Sequence, residues 1–300
     1  MHVKDKISCH AYIDVALPAT LGFLLIVLLA GFTSFEALFA PRADPWPRWQ
    51  GHDPQSTQRL DHGAWDEFLS RHVVVGDDGI ARVDYAGVGN EDRRLLDGYI
   101  DRLAGEAVGG LSKPEQLAYW INLYNALTVR LVLRHPGVAS IRDIDISPGL
   151  FADGPWGKKL IEIEAEPVSL NDIEHRILRP LWQDPRIHYA LNCAALGCPN
   201  LQAQAFTAEN APALLAAAAR AFVNHPRGAA VNHGRLVVSS IYVWFQADFG
   251  GDDAGVIAHL HRYAEPALAA ALSDVERIDD HAYDWALNAA NGRSQRRVER

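Results

Sequence analysis

Residues 184–200 set one imidazole and two thiols at even spacing, with four residues between His188 and Cys193 and four between Cys193 and Cys198. The only other cysteine is Cys9, near the start of the chain, so thiol, disulfide or metal chemistry in the body of the protein has to centre here. A catalytic thiol needs its proton drawn off by an imidazole, a cation or a helix N-terminus, and a polar group to orient that base. Cys193 and Cys198 supply the sulfur, and His175 and His188 are candidate bases. Glu174, Asn122 and Asn125 are candidate orienting groups. Cys198 follows Gly197 at a turn, which predicts an accessible sulfur; Cys193 follows a strand-like run, which predicts a buried one. A free cysteine also serves as a small apolar core residue. Two thiols this close in sequence can instead close a short disulfide loop where the Cα separation permits.

Two other chemistries use the same residues. His188, Cys193, Cys198 and His175 make a four-ligand zinc set, but structural zinc favours cysteine pairs separated by two to four residues with a second tight pair, so this spacing is a weak match. Acid–base work without sulfur would fall to Glu174 and His175, with Asn122, Asn125 and Arg186 as groups that could touch a substrate. On an ideal helix Glu174 and His175 point about 100° apart, which predicts that they do not share one cavity. Each residue has a plainer reading too: a hydrogen-bonded structural histidine, a satisfied amide network, and an ion pair for Arg186. Asp248 or Asp284 could fix Arg179 or Arg186 by such a pair.

The elements that must position these groups follow from pattern. Residues 73–85, with Gly76-Asp77-Asp78-Gly79 between two β-rich runs, predict a hairpin. Residues 90–108 predict an amphipathic helix with Leu95, Leu96, Tyr99, Ile100 and Leu103 on its apolar side. Ser112-Lys113-Pro114-Glu115 predicts a capping box opening a helix to about Arg134. In it Trp120, Leu123, Tyr124, Leu127, Leu131 and Val132 cover most of the circumference, the mark of a buried central helix. Residues 159–168 predict strand, and Ser169 predicts the cap of a further helix through Arg179. The alternation of Ile187, Tyr189 and Leu191 with His188, Ala190 and Asn192 predicts a half-buried strand. Helices over 210–224, 240–249 and 255–263 and a hairpin around 231–238 complete the pattern. Helices and hairpins without regular βαβ alternation give an α+β fold: one domain with small antiparallel sheets.

The domain reading is a hydrophobic N-terminal helix within 1–40, a Pro/Trp-rich linker over 41–60, a globular domain over 61–288 and a basic tail over 289–300. Residues 15–35 carry no charge, except that nothing interrupts them before Glu36, and 21 apolar or neutral residues suffice to cross a bilayer. Lys4 and Lys6 precede the run, so the positive-inside preference places the rest of the chain outside the cytoplasm, periplasmic if bacterial, either anchored or released by cleavage of a signal peptide. A membrane is thus the expected partner through this segment, with a small molecule or peptide as ligand. The net charge of −9 argues against nucleic acid, whose phosphates call for a basic surface. No cofactor is expected.

Several motifs together resemble one family. They are Ala118-Tyr119-Trp120-Ile121-Asn122-Leu123-Tyr124-Asn125-Ala126, Ser169-Leu170-Asn171-Asp172-Ile173-Glu174-His175, and the 184–199 stretch. Ser239-Ser240-Ile241-Tyr242-Val243-Trp244-Phe245 with Asp248-Phe249, and Tyr283-Asp284-Trp285-Ala286-Leu287-Asn288, follow in order. This set resembles the domain of unknown function 547 family over about 61–288. The resemblance implies a shared fold and a probable site, without an established activity. Three functional classes stand from the residues: a cysteine-dependent hydrolase or acyl-transferase, a non-enzymatic binding or scaffold domain with a structural Cys193–Cys198 pair, and a zinc-dependent enzyme.

Overall fold

The central helix organises everything else. In the computed structural model, which describes residues 40–149 and 154–290, it runs Lys113–Arg134, and every residue from Ala118 to Val129 is buried. Its all-round apolar surface therefore needs partners on every side. Helix α1 (Gly63–His72), α2 (Asn90–Ala104) and this helix, α3, share one core with Leu170, Ile173, Ile177 and Phe206. Trp120 sits edge-on to Trp49 and Tyr119, at ring separations of 5.1 and 4.9 Å. Trp49 is 2% exposed, so this tryptophan of the Pro/Trp-rich segment docks into the core.

The predicted capping box does not form at Ser112, whose side chain makes no cap bond. Glu115 is drawn away instead: its Oε1 accepts the Leu60 backbone N–H at 2.7 Å and ties the incoming chain to α3. Ser169 does cap its helix, its hydroxyl accepting from Asp172 N while Asp172 Oδ2 accepts from Ser169 N at 2.9 Å. Beyond that cap, Asp172–Leu178 is wound as a π-helix, closing in a single α turn, α4 (Arg179–Trp182). Pro180 has no N–H to return to His175 O. That carbonyl accepts Asp44 N instead, at 3.0 Å, and Arg176 O accepts Trp46 N at 2.9 Å.

Two short antiparallel hairpins, β1–β2 (Val73–Val75, Ala81–Val83) and β3–β4 (Ile161–Ile163, Glu166–Val168), flank the core. A third sheet pairs β5 (Ala229–Asn232) antiparallel with β6 (Arg235–Ser239). Its third strand, β7 (Asp280–Ala282), runs parallel to β6, a departure from the expected purely antiparallel sheets. A parallel neighbour needs a long crossover. Here α6 (Ser240–Trp244), α7 (Asp253–Tyr263) and α8 (Pro266–Leu272) supply it, following α5 (Ala211–Val223) and the β5–β6 hairpin. A second core forms under that sheet from Phe222, Val238, Tyr242, Phe249, Val256 and Leu260.

The predicted strand through His188 is a 3-10 helix, Pro185–Tyr189. Asp184 accepts the Arg186 N–H and Pro185 fixes the first turn, while residues 187–192 are all buried, so no exposed face exists to give a strand its alternation. The apolar run 15–35 lies outside the described residues. Among those described, no helix is long and apolar enough to cross a membrane.

Candidate active site

A row of polar side chains begins on the π-helix and ends at the sulfurs. The wider π winding, together with the fold of the neighbouring 3-10 helix, brings Glu174 against both histidines. Glu174 Oε1 lies 4.0 Å from its neighbour's His175 Nδ1 and 3.8 Å from His188 Nδ1. The two adjacent side chains approach within 4.0 Å on a π-helix, a winding that differs from the α geometry on which the expectation of separate directions was based.

His188 is held from the other side. Its Nε2 lies 2.7 Å from Asp248 Oδ2, and its ring stacks on Phe245 at 4.6 Å. A carboxylate can only accept, so Nε2 carries the proton and Nδ1 is the nitrogen turned to Glu174. Asp248 Oδ2 also accepts from Arg179 Nε at 2.6 Å, one of the arginine pairings the sequence suggested. Burial would raise the Asp248 carboxyl, but the His188 and Arg179 hydrogen bonds outweigh it and hold the group at about 2. Arg179 Nη1 donates to His175 Nδ1 at 2.9 Å and to Pro41 O at 2.8 Å. His175 is pushed down to about 4, chiefly by burial, with the adjoining Arg179 and His188 acting in the same direction against Glu174. It is a neutral structural ring at neutral pH.

At the other end, Cys193 and Cys198 form a disulfide with Cα atoms 6.2 Å apart, within the usual span. Their exposure is the reverse of the prediction. Cys198 is 2% exposed and Cys193 is half-buried. Leu196 N and Gly197 N donate to Ala286 O and Asp284 O, both at 2.8 Å, which lays the C-terminal segment over the Cys198 side of the loop. Ala194 takes a left-handed φ of 62° just after Cys193. Gly197 is required at its position: a Cβ there would sit 2.8 Å from Asp284 N.

The sulfurs find a phenol, not an imidazole. Tyr283 hydroxyl is 3.0 Å from each Sγ, and bonded sulfurs have no proton to give, so the phenol is the donor. Burial raises the Tyr283 hydroxyl well above the usual phenol range, and Glu174 adds to that push. Tyr283 therefore stays protonated. Its separation from Cys193 by 90 residues left no spacing signal to find it by.

The remaining candidates are occupied. Asn122 clamps Phe206, donating to its carbonyl at 2.7 Å and accepting its N–H at 2.9 Å. Asn125 does the same between Ala190 O and Asn192 N, at 2.8 and 2.9 Å. Both hold the loops around the site onto α3. Arg186 is paired with Asp184 through Nε and Nη2, the latter at 2.6 Å. Among the described residues no three or more His, Cys, Asp or Glu side chains are grouped to hold a metal ion. The proposed zinc set is divided, with the sulfurs bonded to each other and the histidines bonded to Asp248 and Arg179.

Residues 108–223 match the model of a family described as Protein of unknown function, DUF547, which supports the resemblance drawn from the motifs over that stretch of the chain. The match includes Asn122, Asn125, Glu174, His175, His188, Cys193 and Cys198, while Asp248 and Tyr283 lie beyond it. No curated protein and no solved structure matches the chain.

Proposed function

We propose that this is an exported or membrane-anchored domain with thiol-dependent hydrolase or acyl-transferase activity toward an amide or thioester. One observation carries the reading: Arg179, Asp248 and His188 are hydrogen-bonded in series, with Glu174 3.8 Å from the remaining His188 nitrogen and close enough to act on the phenol that contacts both sulfurs. A base oriented by a third group is the wiring that nucleophilic sites share. Glu174, half-buried and less enclosed than His188, is the acid–base group. His188, itself fixed by Asp248, lies 3.8 Å from it, and Tyr283 is the hydroxyl through which a thiol proton would pass. Cys193, the more accessible sulfur, is the nucleophile once the bridge is open. Export is supported by the uncharged 15–35 run behind Lys4 and Lys6, and by a disulfide of the kind that oxidising compartments maintain.

The test is turnover of acyl thioester and amide substrates with and without dithiothreitol. Activity should require reduction, vanish in Cys193→Ser and fall about a hundredfold in Glu174→Gln. Reduced protein no faster than Cys193→Ser overturns the proposal. A second reading, a stapled binding domain, is favoured by the closed bridge itself and by the engagement of Asn122 and Asn125 with backbone. It gains if the double serine variant keeps its full biological function.

A further inference from the structure

We propose that Cys193–Cys198 is a thiol–disulfide exchange site, with Cys193 the sulfur attacked and Cys198 the sulfur that leaves as a thiolate. This goes beyond acyl transfer and shares with it the two sulfurs and the Tyr283 hydroxyl.

The two sulfurs differ in access and in what surrounds them. An incoming thiolate must travel in line with the S–S bond, and Cys193 is half-buried while Cys198 is 2% exposed, so Cys193 is the easier sulfur to reach. Cys198 Sγ accepts two hydrogen bonds, from Cys193 N at 2.9 Å and from the Tyr283 hydroxyl at 3.0 Å. Both donors are held by the fold: the first by the turn at Ala194, the second by the pairing of the C-terminal segment with the loop. Donors already in place strengthen when the acceptor gains charge. A third feature is Arg227. It donates through Nη1 to Leu196 O at 2.6 Å, inside the disulfide loop, and through Nη2 to Asn200 Oδ1. Among the described residues no carboxylate forms a salt bridge with it, and its charge reaches Tyr283. A half-buried guanidinium that has only the more distant Asp78 carboxylate acting on it, and no salt bridge, is stabilised by an anion formed nearby, as the Cys198 thiolate would be.

The step balances with a dithiol as reductant. One thiolate of the dithiol attacks Cys193 Sγ; the Cys193–Cys198 bond breaks and its electron pair goes to Cys198. The second thiolate of the dithiol then attacks its own sulfur in the mixed disulfide and expels Cys193, which takes a proton from water. The dithiol ends as a disulfide, and the protein has gained two electrons. With a monothiol such as glutathione the first half leaves a mixed disulfide on the attacked cysteine, which persists until a second glutathione or the Cys198 thiolate attacks it.

The experiment uses the full chain with Cys9→Ser, so that all sulfur titre comes from the pair. Reduced glutathione is added, the reaction is stopped with acid, and mass spectrometry of the digest locates the adduct. Glutathione on Cys193 is expected; glutathione on Cys198 overturns the proposal, as does a bridge that opens only when urea unfolds the chain. In a Cys193→Ser background, absorbance at 240 nm should show Cys198 ionising below the free-thiol value of about 8.5. Tyr283→Phe should raise that midpoint and slow opening of the bridge by about tenfold, as expected for one hydrogen bond to a charged group. Arg227→Gln should do likewise, with Arg227→Lys restoring most of the loss. Ionisation at the free-thiol value in every variant counts against the proposal. Exchange with no acyl turnover removes the hydrolase reading and leaves this one standing, while acyl turnover that is indifferent to reduction, with Cys198 as the adduct site, removes this one.

Discussion

Asp248→Asn tests the polar row directly, because one oxygen of Asp248 serves both Arg179 and His188. The carboxyl titrates near 3.8 when unfolded and at about 2 in the fold. A depressed acid contributes stability that is fully present above the unfolded value and is lost as pH falls through the folded one. At about 1.4 kcal/mol per pKa unit, the shift is worth roughly 2 kcal/mol at pH 7. The same linkage leaves about half of that at pH 3 and little at pH 2. The Asp248 side chain is 22% exposed, so solvent screening makes the first figure an upper value. Asparagine keeps the shape but not the charge, and leaves the Arg179 side chain, 4% exposed, without its counter-ion. The stability difference between wild type and Asp248→Asn, from urea denaturation followed by tryptophan fluorescence, should therefore narrow by about 2 kcal/mol from pH 7 to pH 2. Other carboxylates titrate in both proteins and cancel in the difference. A difference that stays constant across that range would show that the carboxylate charge does not hold the row together, and the site would lose its organising pair.

Further outcomes follow from neighbouring contacts. His175, lowered to about 4, should remain neutral to that pH by NMR; since the unfolded ring takes a proton below about 6.5, native stability should fall between pH 6.5 and 4, and His175→Gln should flatten that segment. Asn122→Ala should cost about 1–3 kcal/mol in chemical denaturation, because it strands the Phe206 N–H and carbonyl in the core. Gly197→Ala should cost about 1–3 kcal/mol in the same assay and increase hydrogen exchange over 284–288, since a Cβ there overlaps Asp284 backbone. Pro180→Ala offers His175 O an N–H from its own helix in competition with Asp44 N, so limited proteolysis within 41–47 should become faster.

The central helix, the hairpins and the cysteine-centred stretch were legible because each is a local pattern. A ring of apolar residues from Trp120 to Val132 can only be a buried helix, and a Gly-Asp-Asp-Gly turn between β-branched runs can only be a hairpin. Candidate site residues were legible by type, since few imidazoles, thiols and acids lie within the matching motifs. What each of them touches was not. Whether Glu174 faces His188 depends on a π winding that arises where Pro180 withdraws a donor and the chain at Asp44 and Trp46 offers replacements. Which sulfur is open depends on the C-terminal segment crossing the loop at Leu196 and Gly197. Asp248 and Tyr283 reach the site from 60 and 90 residues away. Residue type and short-range periodicity are properties of the chain, but hydrogen-bond partners across such separations are chosen by packing, and only the folded structure decides them.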